Sequence, residues 1–223
     1  PYLAMARLVG AEAYYIESTA RTDGPSRTGE LLARLPWVHL LTQNPAWADE
    51  RWTHEGSVFD GFSATHGAAP TIERVVVTVG TMETYGFRRL IEKLIELLPP
   101  DAEVLWQTGS TDVTGLPIEA HRAVDSAELE AAMARADLVV AHAGIGTALT
   151  CLSHRRLPLL VPRDPAFDEH VDGHQVETAA FLADQDLAVV ARVEELTRRH
   201  LDRAAGATVE RVRHDEAWPT FVR

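Results

Sequence analysis

The chain has 223 residues, 46% of them hydrophobic and 24% charged, the balance of an ordinary globular protein with room for one large domain or one and a half Rossmann-like units. A net charge of −12 supplies no basic field to neutralise a nucleic-acid backbone, and no apolar run reaches the roughly 18 residues of a membrane span. Cys151 is the sole cysteine, so no internal disulfide can form, and its apolar neighbours (Ala148 to Leu152) make it a buried structural thiol of a reducing, cytoplasmic setting. The chain opens at Pro1 without a signal peptide and reads as a fragment or a processed form.

In chain order, Tyr2 to Val9 reads as a short amphipathic helix ending at Gly10, and Ala13 to Ile16 as a strand. Glu17 to Arg21 follow at that strand's C-terminal end. Thr22 to Ser26 form a turn cluster, Thr28 to Leu35 a helix stopped before Pro36, and Val38 to Thr42 a second strand. Trp37, Trp47 and Trp52 crowd this region and point to packing or an interface. Gly61 to Pro70 reads as a linker. Arg74 to Val79 is a β-branched run typical of a parallel strand covered on both faces, and it ends in Gly80-Thr81. Gly86 to Leu98 carries apolar residues at helical spacing and stops at Pro99-Pro100. Glu103 to Gln107 is a strand. Ala127 to Ala136 is a helix capped by Asp125 or Ser126, and Leu138 to Ala141 a strand. Then come a helix (Thr147 to His154), a strand (Pro158 to Val161), a helix (His174 to Asp184), a strand (Ala188 to Ala191) and a helical stretch from Glu194 to about Gly206.

Strands alternate with helices from residue 74 onward, which predicts an α/β fold with a doubly wound parallel sheet. Ligands of such sheets sit beyond the carboxyl ends of the strands. Gly80-Thr81, His142 to Thr147 and the loop after Val161 all lie at such ends, so three loops converge on one edge.

His142-Ala-Gly-Ile-Gly-Thr147 is a turn nearly stripped of side chains. Gly144 and Gly146 can adopt positive φ and leave room for a ligand, and Thr147 can cap the helix and meet a phosphate oxygen. The motif has neither the third glycine of a dinucleotide fingerprint nor the lysine of a P-loop. Taken alone it fits a plain βα turn as well as a phosphate site. Asp168 to Gln175 gathers Glu169, His170, Asp172, His174 and Gln175. The four-residue spacing of His170 and His174 allows a metal, but Gly173 and the nearby Pro165 favour a polar loop that reads sugar hydroxyls, so neither metal nor other cofactor is assigned. No Gly-x-Ser-x-Gly elbow is present, against a serine hydrolase.

Four stretches in order resemble the C-terminal, donor-binding domain of family 28 glycosyltransferases over about residues 72 to 200: Val77 to Thr81, Ala136 to Thr147, Val161-Pro-Arg163, and Glu169 to Gln175. The likeness is strongest to the small subunit of the two-part UDP-GlcNAc transferase of dolichol-linked glycan synthesis and to bacterial exopolysaccharide glucuronosyltransferase subunits. Residues 11 to 60, with Glu17 to Arg21 and Pro25 to Leu32, resemble the second half of the membrane-associated partner subunit.

The resemblance implies a Rossmann-like, GT-B type fold with an incomplete N-terminal half. Residues 1–66 would form a partial acceptor-side domain, 67–71 a linker, 72–205 the donor domain and 206–223 a tail. It implies transfer of a sugar from a UDP-sugar, with inversion, to a lipid-linked or polysaccharide acceptor, at the cytoplasmic face of a membrane and with a membrane-associated subunit or a second copy as partner. Nucleic acid is not expected. Gly80, Thr81, His142, Gly144, Gly146 and Thr147 would hold the diphosphate; His170, Asp172, His174 and Gln175 the sugar; and the segment around Val124 the base. A carboxylate common in relatives three residues after Thr147 is replaced by Thr150. Glu17 is a candidate base, with a cap or ion-pair role as its alternative. Three other readings stay open: a non-catalytic donor-binding subunit, a sugar-nucleotide epimerase and a nucleotide-sugar sensor.

Overall fold

The computed structural model describes residues 6–171 and 173–212. They divide into two compact units, residues 6–61 with Val212, and residues 62–211.

In the first unit, β1 (Ala13–Ile16), β2 (Val38–Thr42) and β3 (Trp52–His54) form a parallel sheet in the order β1-β2-β3. The helix α1 (Arg27–Ala33) starts where Ser26 Oγ accepts the Gly29 N–H. Ala13, Val38, Leu40 and Trp52 form the core, and Trp47 meets Trp52 edge-on at 5.3 Å, so two of the three tryptophans pack together. Residues 2–5 of the expected Tyr2–Val9 helix lie outside the described residues, and residues 6–8 are helical.

The second unit is a six-stranded parallel sheet in the order β10-β9-β8-β5-β6-β7. Its strands are β5 (Arg74–Thr78), β6 (Glu103–Gln107), β7 (Ala120–His121), β8 (Leu138–Ala141), β9 (Leu159–Leu160) and β10 (Val189–Val190). The chain winds outward from β5 to β7, returns to the other side of β5 as β8, and winds outward again. The order therefore reverses between β5 and β8, which makes that pair the topological switch point of a doubly wound sheet. Val75, Val76 and Val77 of β5 and all four residues of β8 are buried, as strands covered on both faces require. The Asp137 carboxylate accepts the N–H groups of Glu73 and Arg74 at 3.0 and 2.8 Å and fixes the register of this central pair at its lower end.

The helices follow their apolar stripes. α2 (Arg88–Leu97) buries Leu90, Ile91 and Leu94. α3 (Ser126–Arg135) is capped by Asp125, whose carboxylate accepts from Ala127 and Glu128, and it sets Met133 against Val76, Val139 and Cys151. Burial pushes the Cys151 thiol up to about 12, so it is an inert packing group. α4 (Ile145–Ser153), α5 (His174–Asp184) and α6 (Arg198–Ala205) complete the unit.

Three expectations need correction. The segment read as the start of the linker contains β4 (Phe62–His66), and the one read as tail contains β11 (Ala207–Arg211); the two pair antiparallel from Phe62↔Arg211 to His66↔Ala207. The two compact units divide after Gly61 and after Arg211. No local turn signal betrays this ribbon, because its strands are far apart in sequence. The stretch after Glu194 is also not one helix: a 3-10 turn (Val193–Glu195) precedes α6, which begins at a Thr197–His200 capping box.

Candidate donor site at the sheet switch point

The loops that leave β5 and β8 stand on either side of the switch point. Gly80, directly after Val79, has φ +79°, a backbone that L side chains rarely adopt. A Cβ placed there would lie 2.9 Å from His142 Cε1. The loop is pinned from its other side too: a Cβ on Gly109, φ +58°, would lie 2.4 Å from the Gly80 carbonyl oxygen. Thr81 is exposed at the rim.

Beyond β8 the chain turns within three residues, the Gly144 N–H donating to the His142 carbonyl at 2.8 Å, and α4 begins at once. Gly144 is the N-cap, with φ −88° and ψ 128°, and its carbonyl accepts the Ala148 N–H at 3.0 Å. Thr147 is thus the third residue of the helix and not its cap. Neither Gly144 nor Gly146 uses the positive φ open to glycine. Gly144 is required for another reason: its missing side chain admits the His142 ring, whose Nε2 would be 2.7 Å from a Cβ. Gly146, exposed in the first turn, would place a Cβ in open space.

Among the described residues no side chain caps α4. The N–H groups of Ile145, Gly146 and Thr147 precede the first helical hydrogen bond, so a helix N-terminus with three backbone donors lies at the switch point. The half-buried His142 ring sits beneath it, with a buried Nδ1 that has no hydrogen-bond partner among the described residues. Burial, reinforced by the positive charge of Arg163, pushes the His142 pKa down to about 4. The ring is neutral at neutral pH and can present a donor or an acceptor.

The third loop, after β9, is folded onto the first. Arg163, 1% exposed, donates from Nη2 to the Val79 carbonyl at 2.6 Å and from Nη1 to those of Tyr85, Glu169 and Gly86 at 2.8, 3.1 and 3.3 Å. Burial pulls its pKa below the ordinary guanidinium value, with Glu169 opposing. The Glu169 carboxylate does not project toward a ligand. It accepts Arg89 Nε and Nη2 at 2.9 and 3.0 Å and the Asp164 N–H at 3.0 Å. Arg89 also pairs with Glu194 and covers the Phe167 ring at 3.5 Å. The half-buried His170 ring is 6.3 Å from Tyr85, and buried Gln175 accepts the Arg163 N–H on its side-chain oxygen at 3.1 Å.

His174 opens α5, as its spacing predicts; Asp172 lies outside the described residues. Among the described residues no group of three or more His, Cys, Asp or Glu is placed to hold a metal ion. Val124, half-buried after β7, donates its N–H to the Gln107 side-chain oxygen at 2.9 Å, while Gln107 Nε2 donates to Thr78 Oγ1 at 2.7 Å. One glutamine thus ties the Val124 segment to the end of β5.

The structure therefore brings Gly80, His142, Gly144, His170 and Gln175 into one bonded or packed set and fastens Val124 to the same sheet edge. Sequence reading leaves Arg89, Gln107 and Gly109 without a role and cites Arg163 only as part of a motif. The available signal for Arg163 is an arginine directly after an apolar strand, where burial demands partners. In the other unit, Glu17 has the local role: its buried carboxylate accepts the N–H groups of Ser26 and Ser18 at 2.8 and 2.9 Å. Burial alone would raise its pKa, but these bonds outweigh it and hold the carboxyl below its usual value.

Residues 74–211 match the family described as Glycosyltransferase family 28 C-terminal domain. The chain is 31% identical over 121 residues to the UDP-N-acetylglucosamine--N-acetylmuramyl-(pentapeptide) pyrophosphoryl-undecaprenol N-acetylglucosamine transferase of Albidiferax ferrireducens, a match covering 50% of this chain and 30% of that protein. Among solved structures it resembles MurG of Acinetobacter baumannii, with a TM-score of 0.53 and 20% identity over 89% of this chain and 59% of that one. It also resembles the calicheamicin glycosyltransferase CalG4, with a TM-score of 0.55 and 16% identity over 90% and 63%. The chain spans less than two thirds of the length of each of these relatives. The doubly wound sheet is the fold of these GT-B proteins, and the family match, which spans more than half of the chain, makes it a member of glycosyltransferase family 28, carrying that family's C-terminal domain.

Proposed function

We propose that the chain transfers a sugar from a UDP-sugar to a lipid-linked or polysaccharide acceptor, with inversion at the anomeric carbon. The observation that carries this reading is the uncapped N-terminus of α4 facing the Gly80 loop. Three backbone N–H groups and the positive end of the helix dipole favour a diphosphate there without any basic side chain.

Inversion requires one displacement. The acceptor hydroxyl gives up its proton to a general base as it attacks the anomeric carbon, the bond to the diphosphate breaks on the opposite side, and negative charge grows on the departing phosphate oxygen. The N–H groups of Ile145, Gly146 and Thr147, with the backbone of Gly80 and Thr81, stand where that charge develops, and preorganised donors stabilise it without reorganising. His170, His174 and Gln175, with Asp172, read the sugar, and Val124 flanks the base. The relative named above acts on a pyrophosphoryl-undecaprenol acceptor, which supports the lipid-linked class. The lipid-linked class places the proposed location at the periphery of the membrane's cytoplasmic face, beside a membrane-associated partner or a second copy; among the described residues no helix is long and apolar enough to cross a membrane.

The test is an assay of UDP release from UDP-glucose, UDP-N-acetylglucosamine and UDP-glucuronic acid, with and without a membrane-lipid extract as acceptor. Acceptor-dependent release from one donor is expected. Release of UDP and free sugar with no dependence on acceptor would contradict a transferase, as would no release from any of the three.

A further inference from the structure

We infer that Arg163 is a positioning residue for the donor: its guanidinium ties the loop after β5 to the loop after β9, and so fixes the separation between the backbone that meets the diphosphate and the backbone that meets the sugar. The inference rests on the donor reading above.

Its four carbonyl partners belong to both loops. Val79 immediately precedes Gly80, and Glu169 immediately precedes His170. Tyr85 and Gly86 close the far end of the first loop. One planar group thus lies one residue from a proposed phosphate contact and one residue from a proposed sugar contact. The Arg163 N–H reaches Gln175 as well, which fixes the first turn of α5.

Only arginine fits this arrangement. Its five donors are spread in a rigid fork, so carbonyls on two sides can be bonded together. Lysine carries three donors on a single point and cannot span them, and an apolar side chain would take this donor from the Val79, Gly86 and Glu169 carbonyls, while Tyr85 would keep the Ser110 hydroxyl. Burying a charge is unfavourable, and packing alone would be better served by an apolar residue of similar volume. Among the described residues no carboxylate hydrogen-bonds the guanidinium. The Glu169 carboxylate instead turns to Arg89, so a second arginine holds the same loop from α2. Among the described residues no hydrogen bond joins the Arg163 side chain to the α4 N-terminus.

The test is calorimetric titration of UDP, UDP-glucose, UDP-N-acetylglucosamine and UDP-glucuronic acid into the unaltered chain and Arg163→Lys, with melting temperatures recorded. In the unaltered chain one UDP-sugar is expected to bind about tenfold more tightly than UDP. Arg163→Lys is expected to keep UDP affinity within about threefold while losing the sugar increment. In Arg163→Ala, millimolar guanidinium should restore the increment and urea should not. Retention of the increment in Arg163→Lys would overturn the assignment, as would a parallel loss of UDP and UDP-sugar binding together with melting temperature, or failure of guanidinium to restore it. No increment for any sugar in the unaltered chain would instead overturn the donor reading, and this inference with it.

Discussion

The His142 ring stands against Gly80 so closely that a Cβ on the glycine would lie 2.9 Å from Cε1, and this contact joins the two loops that flank the switch point. Because φ at Gly80 is +79°, a side chain there is disfavoured twice, by the backbone and by the ring. Gly80→Ala is expected to cost about 1–3 kcal/mol, read as a lower midpoint in urea unfolding, and to weaken UDP binding as the loop moves off the imidazole.

The depressed pKa of His142 makes stability depend on pH with a definite sign. The unfolded histidine takes up a proton near pH 6.5, the folded one only near about 4. Between these values the unfolded state binds more protons, so stability is fully present above about pH 6.5 and falls as pH drops toward 4. The loss amounts to about 3 kcal/mol. Thermal unfolding from pH 7 to 4.5 should show this decline, and His142→Phe should flatten it.

Glu169 and Arg89 form a pair in which the carboxylate is 6% exposed and takes both Nε and Nη2. Removing the carboxylate leaves Arg89, among the described residues, the exposed Glu194 and the Phe167 ring, and deprives the Asp164 N–H of that acceptor. Glu169→Ala should destabilise by about 2–4 kcal/mol in urea unfolding. Glu194→Ala should change stability by less than about 1 kcal/mol.

Thr150 lies one helical turn beyond Gly146 and donates its hydroxyl to that residue's carbonyl at 3.0 Å, so it faces back toward the open end of α4. A carboxylate there would reach ribose hydroxyls bound beside the helix N-terminus. Thr150→Glu is expected to tighten UDP binding by about tenfold, the worth of one charge-assisted hydrogen bond, with no gain for 2′,3′-dideoxy-UDP.

The parallel sheet was legible because its signals are local. Val75 to Val77 and Leu138 to Ala141 are short apolar runs, and Pro99-Pro100 and Asp125 mark helix ends. The ribbon of β4 and β11 was not, since pairing of Phe62 with Arg211 leaves no trace within either segment. The site shows the same division. Gly80, Gly144 and Gly146 announce a bare turn, yet what requires glycine is tertiary at two of them, where the His142 ring stands against Gly80, itself at positive φ, and against Gly144; at Gly146 a Cβ would meet open space. Arg163 reaches the Val79 carbonyl and Gln107 the Val124 N–H and the Thr78 hydroxyl, partners far along the chain that no spacing rule encodes.

The central claim is that the N-terminus of α4 binds the diphosphate, and Gly146→Trp tests it most directly. Gly146 is exposed, and a Cβ there meets nothing within 4 Å, so the indole can be added without disturbing the core while it covers the N–H groups of Ile145 to Thr147. Calorimetric titration of UDP should show binding to the unaltered chain and a loss of about 100-fold or more in Gly146→Trp at an unchanged melting temperature. Equal affinity in the two proteins would contradict the assignment.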